Sequence, residues 1–236
     1  MVIDILFFVV IFLTNIMQGI TGFAGTILAM PPSIFLKGIE VSKPVLNMLG
    51  LLASIWVLKV SHKHVKKNEF FKIMFIMFVG VMIGNYIYSK VETAILLKIY
   101  ALFIILIALK GILIKKKILL NENILLIILF LSGIIHGMFV SGGPLLVIYA
   151  AQKIKDKTEF RATISAVWII LNIFMIWNHY SSGLLTPSTM KLIVLGIIPL
   201  LAGMIIGNKL HYTMSQEAFL YLTYILLLIS GCSLLF

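Results

Sequence analysis

The chain has 236 residues, of which 61% are hydrophobic and only 11% charged, and its mean hydropathy is +1.15; so little polar surface cannot cover a soluble domain of this size, and an integral membrane protein follows. The formal net charge of +11 does not signal nucleic-acid binding, because the nineteen basic residues lie in short clusters between apolar runs, where they act as topology signals. The single cysteine, Cys232, excludes an internal disulfide, a CxxC redox pair and a thiolate metal cluster.

The start, Met1-Val2-Ile3-Asp4, turns apolar without a basic region or a small-residue cleavage site, so the first segment is expected to be retained. That segment runs over about 2–36 and is interrupted by Gln18-Gly19-Ile20-Thr21-Gly22-Phe23-Ala24-Gly25. A polar turn is expected from Lys37 to Lys43, with Pro44 opening a helix over about 44–60. The basic loop His62-Lys63-His64-Val65-Lys66-Lys67 follows, its histidines read as solvated, and then helices at about 70–88 and 93–114. Lys115-Lys116-Lys117 closes the first half.

The second half repeats the order. An apolar segment over about 123–151 is interrupted by Ser132-Gly133-Ile134-Ile135-His136-Gly137-Met138-Phe139-Val140-Ser141-Gly142-Gly143-Pro144. A charged turn from Lys153 to Glu159 leads to helices at about 160–179, 188–208 and 216–235, with Thr158 as the candidate cap of the first. Gly80-Val81-Met82-Ile83-Gly84-Asn85 corresponds to Gly203-Met204-Ile205-Ile206-Gly207-Asn208. These small-residue pairs are read first as helix-packing faces. The chain is thus one membrane domain over 1–236, with repeat 1 at about 1–117 and repeat 2 at about 118–236.

Charge decides how the repeats sit. If each interrupted segment crosses the bilayer once, the basic residues divide ten against nine, which is no bias. If each instead enters and leaves on one face, Lys59, Lys63, Lys66, Lys67, Lys72, Lys110, Lys115, Lys116, Lys117, Lys153, Lys155, Lys157, Arg161 and Lys209 share a side, fourteen against five. The positive-inside rule selects the second arrangement. Length agrees, because an unbroken helix over 2–36 would be roughly 50 Å long against a hydrocarbon core of about 30 Å. The expected fold is therefore an all-α polytopic membrane protein whose two homologous halves have inverted topology. Each half is a glycine-broken re-entrant or twice-crossing hairpin plus three transmembrane helices.

Two glycine-broken segments at matching places point to a transport site. Unwound backbone survives in a bilayer only inside protein or beside water, so the breaks are expected to line a cavity. In the second, Ser141, Gly142 or Gly143 can cap a helix that Pro144 opens, and its free amides favour an anion. In the first, Gln18 adds an amide and Thr21 a hydroxyl, and Gly22 and Gly25 let a ligand approach the backbone, with Phe23 between them. All eight acidic residues fall in turns or at helix ends, whereas a cation carrier would hold a carboxylate in mid-membrane. The ligand is therefore read as an anion. His136 either binds that anion or carries a coupled proton when it titrates, or else stays neutral and bonds across helices. Arg161 is a membrane-interface anchor or an anion contact, and Asn47 and Asn172 are candidate cavity amides.

At these residues the chain resembles the sulfite exporter TauE/SafE family along nearly its whole length. The resemblance is carried by the segment from Gln18 to Gly25 with Pro31, by Gly133 to Pro144 with Tyr149, and by Asp156-Lys157-Thr158-Glu159-Phe160-Arg161-Ala162-Thr163. The chain departs from the family pattern at Ala24 and Thr26, within the first glycine run, and at Val147 and Ile148 after the second. The resemblance implies secondary transport of a small inorganic or organic sulfur anion, such as sulfite or an organosulfonate, by alternating access in the cell membrane. It also implies that Arg161 and Thr163 belong to the functional region. The partners expected are that anion and the lipid bilayer, with no nucleic acid; a homo-oligomer and a coupling proton are left open. No cofactor and no metal are called for, and no nucleotide-binding loop is present. The alternatives are a passive anion channel and an intramembrane enzyme using His136 and Ser141, which lacks an orienting acid at that depth.

Overall fold

The computed structural model describes residues 2–113 and 119–210, and of the C-terminal stretch residues 221, 224, 225, 227–229, 231 and 232. The lysine turn at 115–117 and most of the last expected helix lie outside the described residues. The first half contains α1 (Val2–Thr21), α2 (Ala24–Lys37), α3 (Ile39–Ser61), α4 (Lys67–Lys90) and α5 (Thr93–Leu113), with a single 3-10 turn at His62–His64 between α3 and α4. The second contains α6 (Glu122–Phe139), α7 (Gly143–Lys153), α8 (Lys157–Ser181) and α9 (Pro187–Leu210). Among the described residues there is no strand, and seven helices are long and apolar enough to cross a membrane: α1, α3, α4, α5, α6, α8 and α9.

The breaks are shorter than the glycine spacing suggests. Helix α1 continues through Gly19 to Thr21, where the amide of Gly22 closes the last turn on the carbonyl of Gln18 at 2.7 Å. Only Gly22, at φ +82°, and Phe23 leave the helix. Likewise α6 runs through Gly133 and Gly137, and the interruption covers residues 140–142 alone. Glycine lowers helix propensity but does not forbid a helix that packing supports.

The expected polar turn at 37–43 is also corrected, because Gly38 alone separates α2 from α3, and Lys43 and Pro44 lie inside α3. Near a helix start, proline forfeits little hydrogen bonding. The cap of α8 is Asp156 rather than Thr158: the Asp156 carboxylate accepts the amides of Thr158 and Glu159 at 2.9 and 2.8 Å.

Each broken pair folds back as a hairpin whose feet are tied by charge. Lys37 at the end of α2 pairs with Asp4 at the start of α1. Lys153 at the end of α7 pairs with Glu122 at the start of α6, which Lys72 of α4 also reaches. The glycine ridges then lock the hairpins to helices of the opposite half. Gly80 and Gly84 of α4 meet Phe130, Gly133 and Ile134 of α6, and Gly137 of α6 meets Val81 and Asn85, while Gly203 and Gly207 of α9 meet Phe12, Ile16 and Gly19 of α1, so closely that a methyl group at either ridge would strike backbone. This is small-residue packing, the reading first given to those motifs.

Register along these contacts makes α1 parallel to α9 and α4 parallel to α6. At the centre α3 and α8 run antiparallel, since Asn47 bonds to Asn172 while the amide of Lys66, beyond the end of α3, donates to Thr163 near the start of α8. The outer faces remain apolar: Ile95, Ile99, Leu102, Leu106, Leu109 and Leu113 form an exposed stripe along α5. In a bilayer, lipid covers such a face.

Candidate functional site

The two breaks meet beside the middle of α3 and α8. At Gly143 the first atom an added side chain would touch is the carbonyl oxygen of Phe23. Between them lies a cavity lined from α1 and α2 by Gln18, Phe23, Thr26 and Ile27, and from α3 by Gly50 and Ser54. His136, Val140, Ser141 and Gly143 line it from the second break, and Trp168 and Asn172 from α8. Its free volume is about 20 Å³, room for a water molecule and too little for a four-atom oxyanion. A second small void lies on the far side of Gln18, Thr26 and Gly50, reaching Asn15, Gly25 and Leu46.

The first break satisfies its own backbone. Gln18 Oε1 accepts the amide of Gly25 at 2.8 Å, and Gln18 Nε2 donates to the carbonyl of Gly22 at 3.1 Å. Thr21 Oγ1 accepts the amides of Phe23 and Ala24 at 3.3 and 3.1 Å and donates to the carbonyl of Met17. Thr21, Gly22 and Gly25 thus build the turn, and of the expected set here only Gln18 and Phe23 face the central cavity. Arg161 lies against the same turn, its Cγ 3.0 Å from where a Cβ on Gly22 would be. Both terminal nitrogens of Arg161 donate to Asn208 Oδ1, at 3.1 and 3.2 Å.

The second break is held from outside and left open toward the cavity. Val140 ends α6 in the left-handed region at φ 54°, an uncommon conformation for a β-branched residue. Strain of this kind persists where surrounding contacts enforce it. Those contacts are identifiable: Ser132 Oγ donates to the carbonyl of Gly142 at 2.7 Å, Tyr100 donates to Ser141 Oγ at 2.8 Å, and Ser141 donates to the carbonyl of Phe139 at 2.9 Å. The Tyr100 ring also stacks on Phe139, with centroids 4.3 Å apart. Helix α7 then starts with Pro144 in its first turn and no side-chain cap, so its leading amides and the positive end of its dipole are available to a ligand.

His136 is buried one turn before this break, its ring 4.8 Å from that of Trp168, and neither ring nitrogen has a protein hydrogen bond. Asn172 approaches it from α8, with its own Oδ1 unpaired. Asn47 lies behind the cavity, bonded through Nδ2 to the carbonyl of Asn172 at 3.3 Å. Thr163 is buried away from the cavity, where its hydroxyl anchors the amide of Lys66 at 2.9 Å.

The cavity brings together Gln18, Phe23, His136, Ser141, Gly143 and Asn172 of the expected residues. It also includes Thr26, Gly50, Ser54, Val140 and Trp168, which the motifs do not single out. Gly50, the middle residue of α3, leaves the space into which Thr26 and Asn172 project. Among the described residues no carboxylate lines this cavity, so its wall offers hydrogen-bond donors and one imidazole.

Comparison with curated proteins and with solved structures finds no match. The family described as sulfite exporter TauE/SafE matches residues 7–234. With its seven membrane-length helices and a match over nearly all its length, the chain is a multi-pass cell-membrane protein and belongs to the sulfite exporter TauE/SafE family.

Proposed function

We propose that the chain is a secondary transporter that carries a small sulfur oxyanion, such as sulfite or an organosulfonate, through the cavity between the two helix breaks. The observation that carries this reading is the uncapped start of α7 opening onto a buried cavity with donors and an imidazole but no carboxylate. A helix N-terminus in a low-dielectric site favours negative charge. Thr26 and Asn172 supply side-chain donors around it, Gln18 keeps one amide hydrogen beyond its bond to Gly22, Gly143 supplies backbone, and His136 adds a positive charge whenever it holds two protons.

An oxyanion fits only if the walls separate, so loading requires a change of shape. We read residues 1–117 and 118–236 as two repeats of inverted topology, consistent with the antiparallel α3 and α8, and the movement as one repeat rocking against the other.

Flux into proteoliposomes of labelled sulfite, sulfoacetate, thiosulfate, sulfate and chloride tests the reading, with and without a pH gradient. Saturable, counterflow-competent flux of a sulfur anion is expected, and its absence for every sulfur anion overturns the substrate assignment. Single cysteines at Lys155 and Ser182 in a Cys232→Ser chain are expected to label from the cytoplasm and from outside, respectively. The reverse pattern would remove the inverted-repeat reading.

A further inference from the structure

A polar seam leaves the central cavity along the antiparallel pair α3 and α8. On α3, Ser54, Gly50, Asn47 and Lys43 recur at steps of three and four, and on α8 so do Arg161, Ser165, Trp168 and Asn172, with His179 two turns further on. The two faces meet where Asn47 donates to the carbonyl of Asn172. Beyond the cavity the atoms Asn47 Oδ1, Ser42 Oγ and His179 Nε2 are buried without a protein hydrogen bond, as Asn172 Oδ1 is at its wall. Buried polar atoms are otherwise paired, and unpaired ones call for a missing partner.

At the far end of this seam are two basic side chains that carriage through the cavity does not use. Lys43 is 2% exposed and His179 1% exposed. The antiparallel register that sets Asn47 beside Asn172 carries Lys43, one turn before Asn47, toward the His179 end of α8, with Glu40 one turn before Lys43 on α3. Among the described residues no salt bridge joins Lys43. Its ammonium rests 3.4 Å from the centre of the Tyr88 ring, and the Tyr88 hydroxyl donates to Glu40 Oε1 at 2.9 Å. A ring face offsets only part of the desolvation of a buried ammonium. Glu40 is exposed and engaged by that hydroxyl.

We infer that Lys43 and His179 form a second anion station, between the central cavity and the membrane face where α3 begins, covered in this conformation by the Tyr88 ring. The station rests on the transport reading above and adds a staging point for the same class of oxyanion. The ammonium exchanges the ring for the anion when Tyr88 swings aside, and Glu40 holds the cover shut. From the station the seam passes Asn47, whose Nδ2 is engaged by the carbonyl of Asn172, and Asn172 itself on the way to His136.

Equilibrium binding of labelled sulfite and sulfoacetate to the purified full chain, together with their saturable flux, tests the inference. The unmodified protein is expected to bind in two phases. Lys43→Gln and His179→Gln should each remove one phase and raise the half-saturation concentration about tenfold, as loss of one charged hydrogen bond does, while Lys43→Arg retains both phases. Tyr88→Ala should speed occupancy of that phase. Binding and flux left unchanged by Lys43→Gln and His179→Gln overturn the station while leaving the transporter intact. Absence of binding and flux in the unmodified protein overturns both. A Lys43→Gln chain that fails to fold leaves His179→Gln and Lys43→Arg to decide.

Discussion

The first break consumes its own polar groups, and the second leaves them to a ligand. Around Gly22, Gln18 and Thr21 bond four backbone groups of the turn, so that hairpin tip is complete without a substrate. Around Val140, the side chains of Ser132, Tyr100 and Ser141 tie down carbonyls and one another, while no side chain caps the amides that open α7. Two breaks at matching places can therefore divide the work, one forming a rigid wall and the other a charged mouth.

Substitutions separate these roles. The largest effect is expected at the open break, where Gly142→Ala drives a methyl group into the carbonyl of Ser132. Transport should fall at least about tenfold, with a stability loss of about 1–3 kcal/mol from overpacking, read as flux per folded protein and as Tm. Next, His136→Gln should lower flux roughly fivefold with little change in Tm, since an imidazole lacking protein hydrogen bonds contributes little polar bonding to the fold.

Gln18→Ala should do the reverse. Leaving the Gly25 amide and the Gly22 carbonyl unpaired should cost about 2–3 kcal/mol, while flux per folded molecule falls less than for Gly142→Ala. A Gln18→Ala protein of unchanged Tm and abolished flux would end the distinction between the breaks. The smallest effect is expected for Thr21→Val, which removes a cap-type hydroxyl and should cost about 1 kcal/mol, again in Tm rather than in flux.

The existence of both breaks was legible in the sequence because glycine clusters are rare enough inside apolar runs to stand out. Their extent was not, because glycine serves two ends that look alike in sequence. Gly19, Gly133 and Gly137 are small so that α9 and α4 can approach, whereas Gly22 adopts a positive φ that turns the chain. At the second break the left-handed residue is Val140, against its local preference, and only the packing of the whole structure reveals it. The hairpin ion pairs, too, join residues some thirty positions apart and have no local signature.

The cavity's remaining wall was hidden for a different reason. Thr26, Gly50, Ser54 and Trp168 are ordinary residues in a membrane helix, and their spacing acquires meaning only once α3 and α8 are known to face each other. Lys43 was hidden by Pro44, since a proline usually marks a boundary, yet here the helix begins before it.

The exchange of glycine ridges between halves also has a consequence in time. The face of α1 around Gly19 is completed only by Gly207 of α9, nearly two hundred residues later on the ribosome. At about 5–20 residues per second, α1 waits roughly 10–40 s in the bilayer with the face that carries Asn15, Ile16 and Gly19 open to lipid or to the insertion machinery before its partner is made. Until then the nascent chain depends on whatever shields that face, and the length of the wait is set by where its matching glycines fall along the gene.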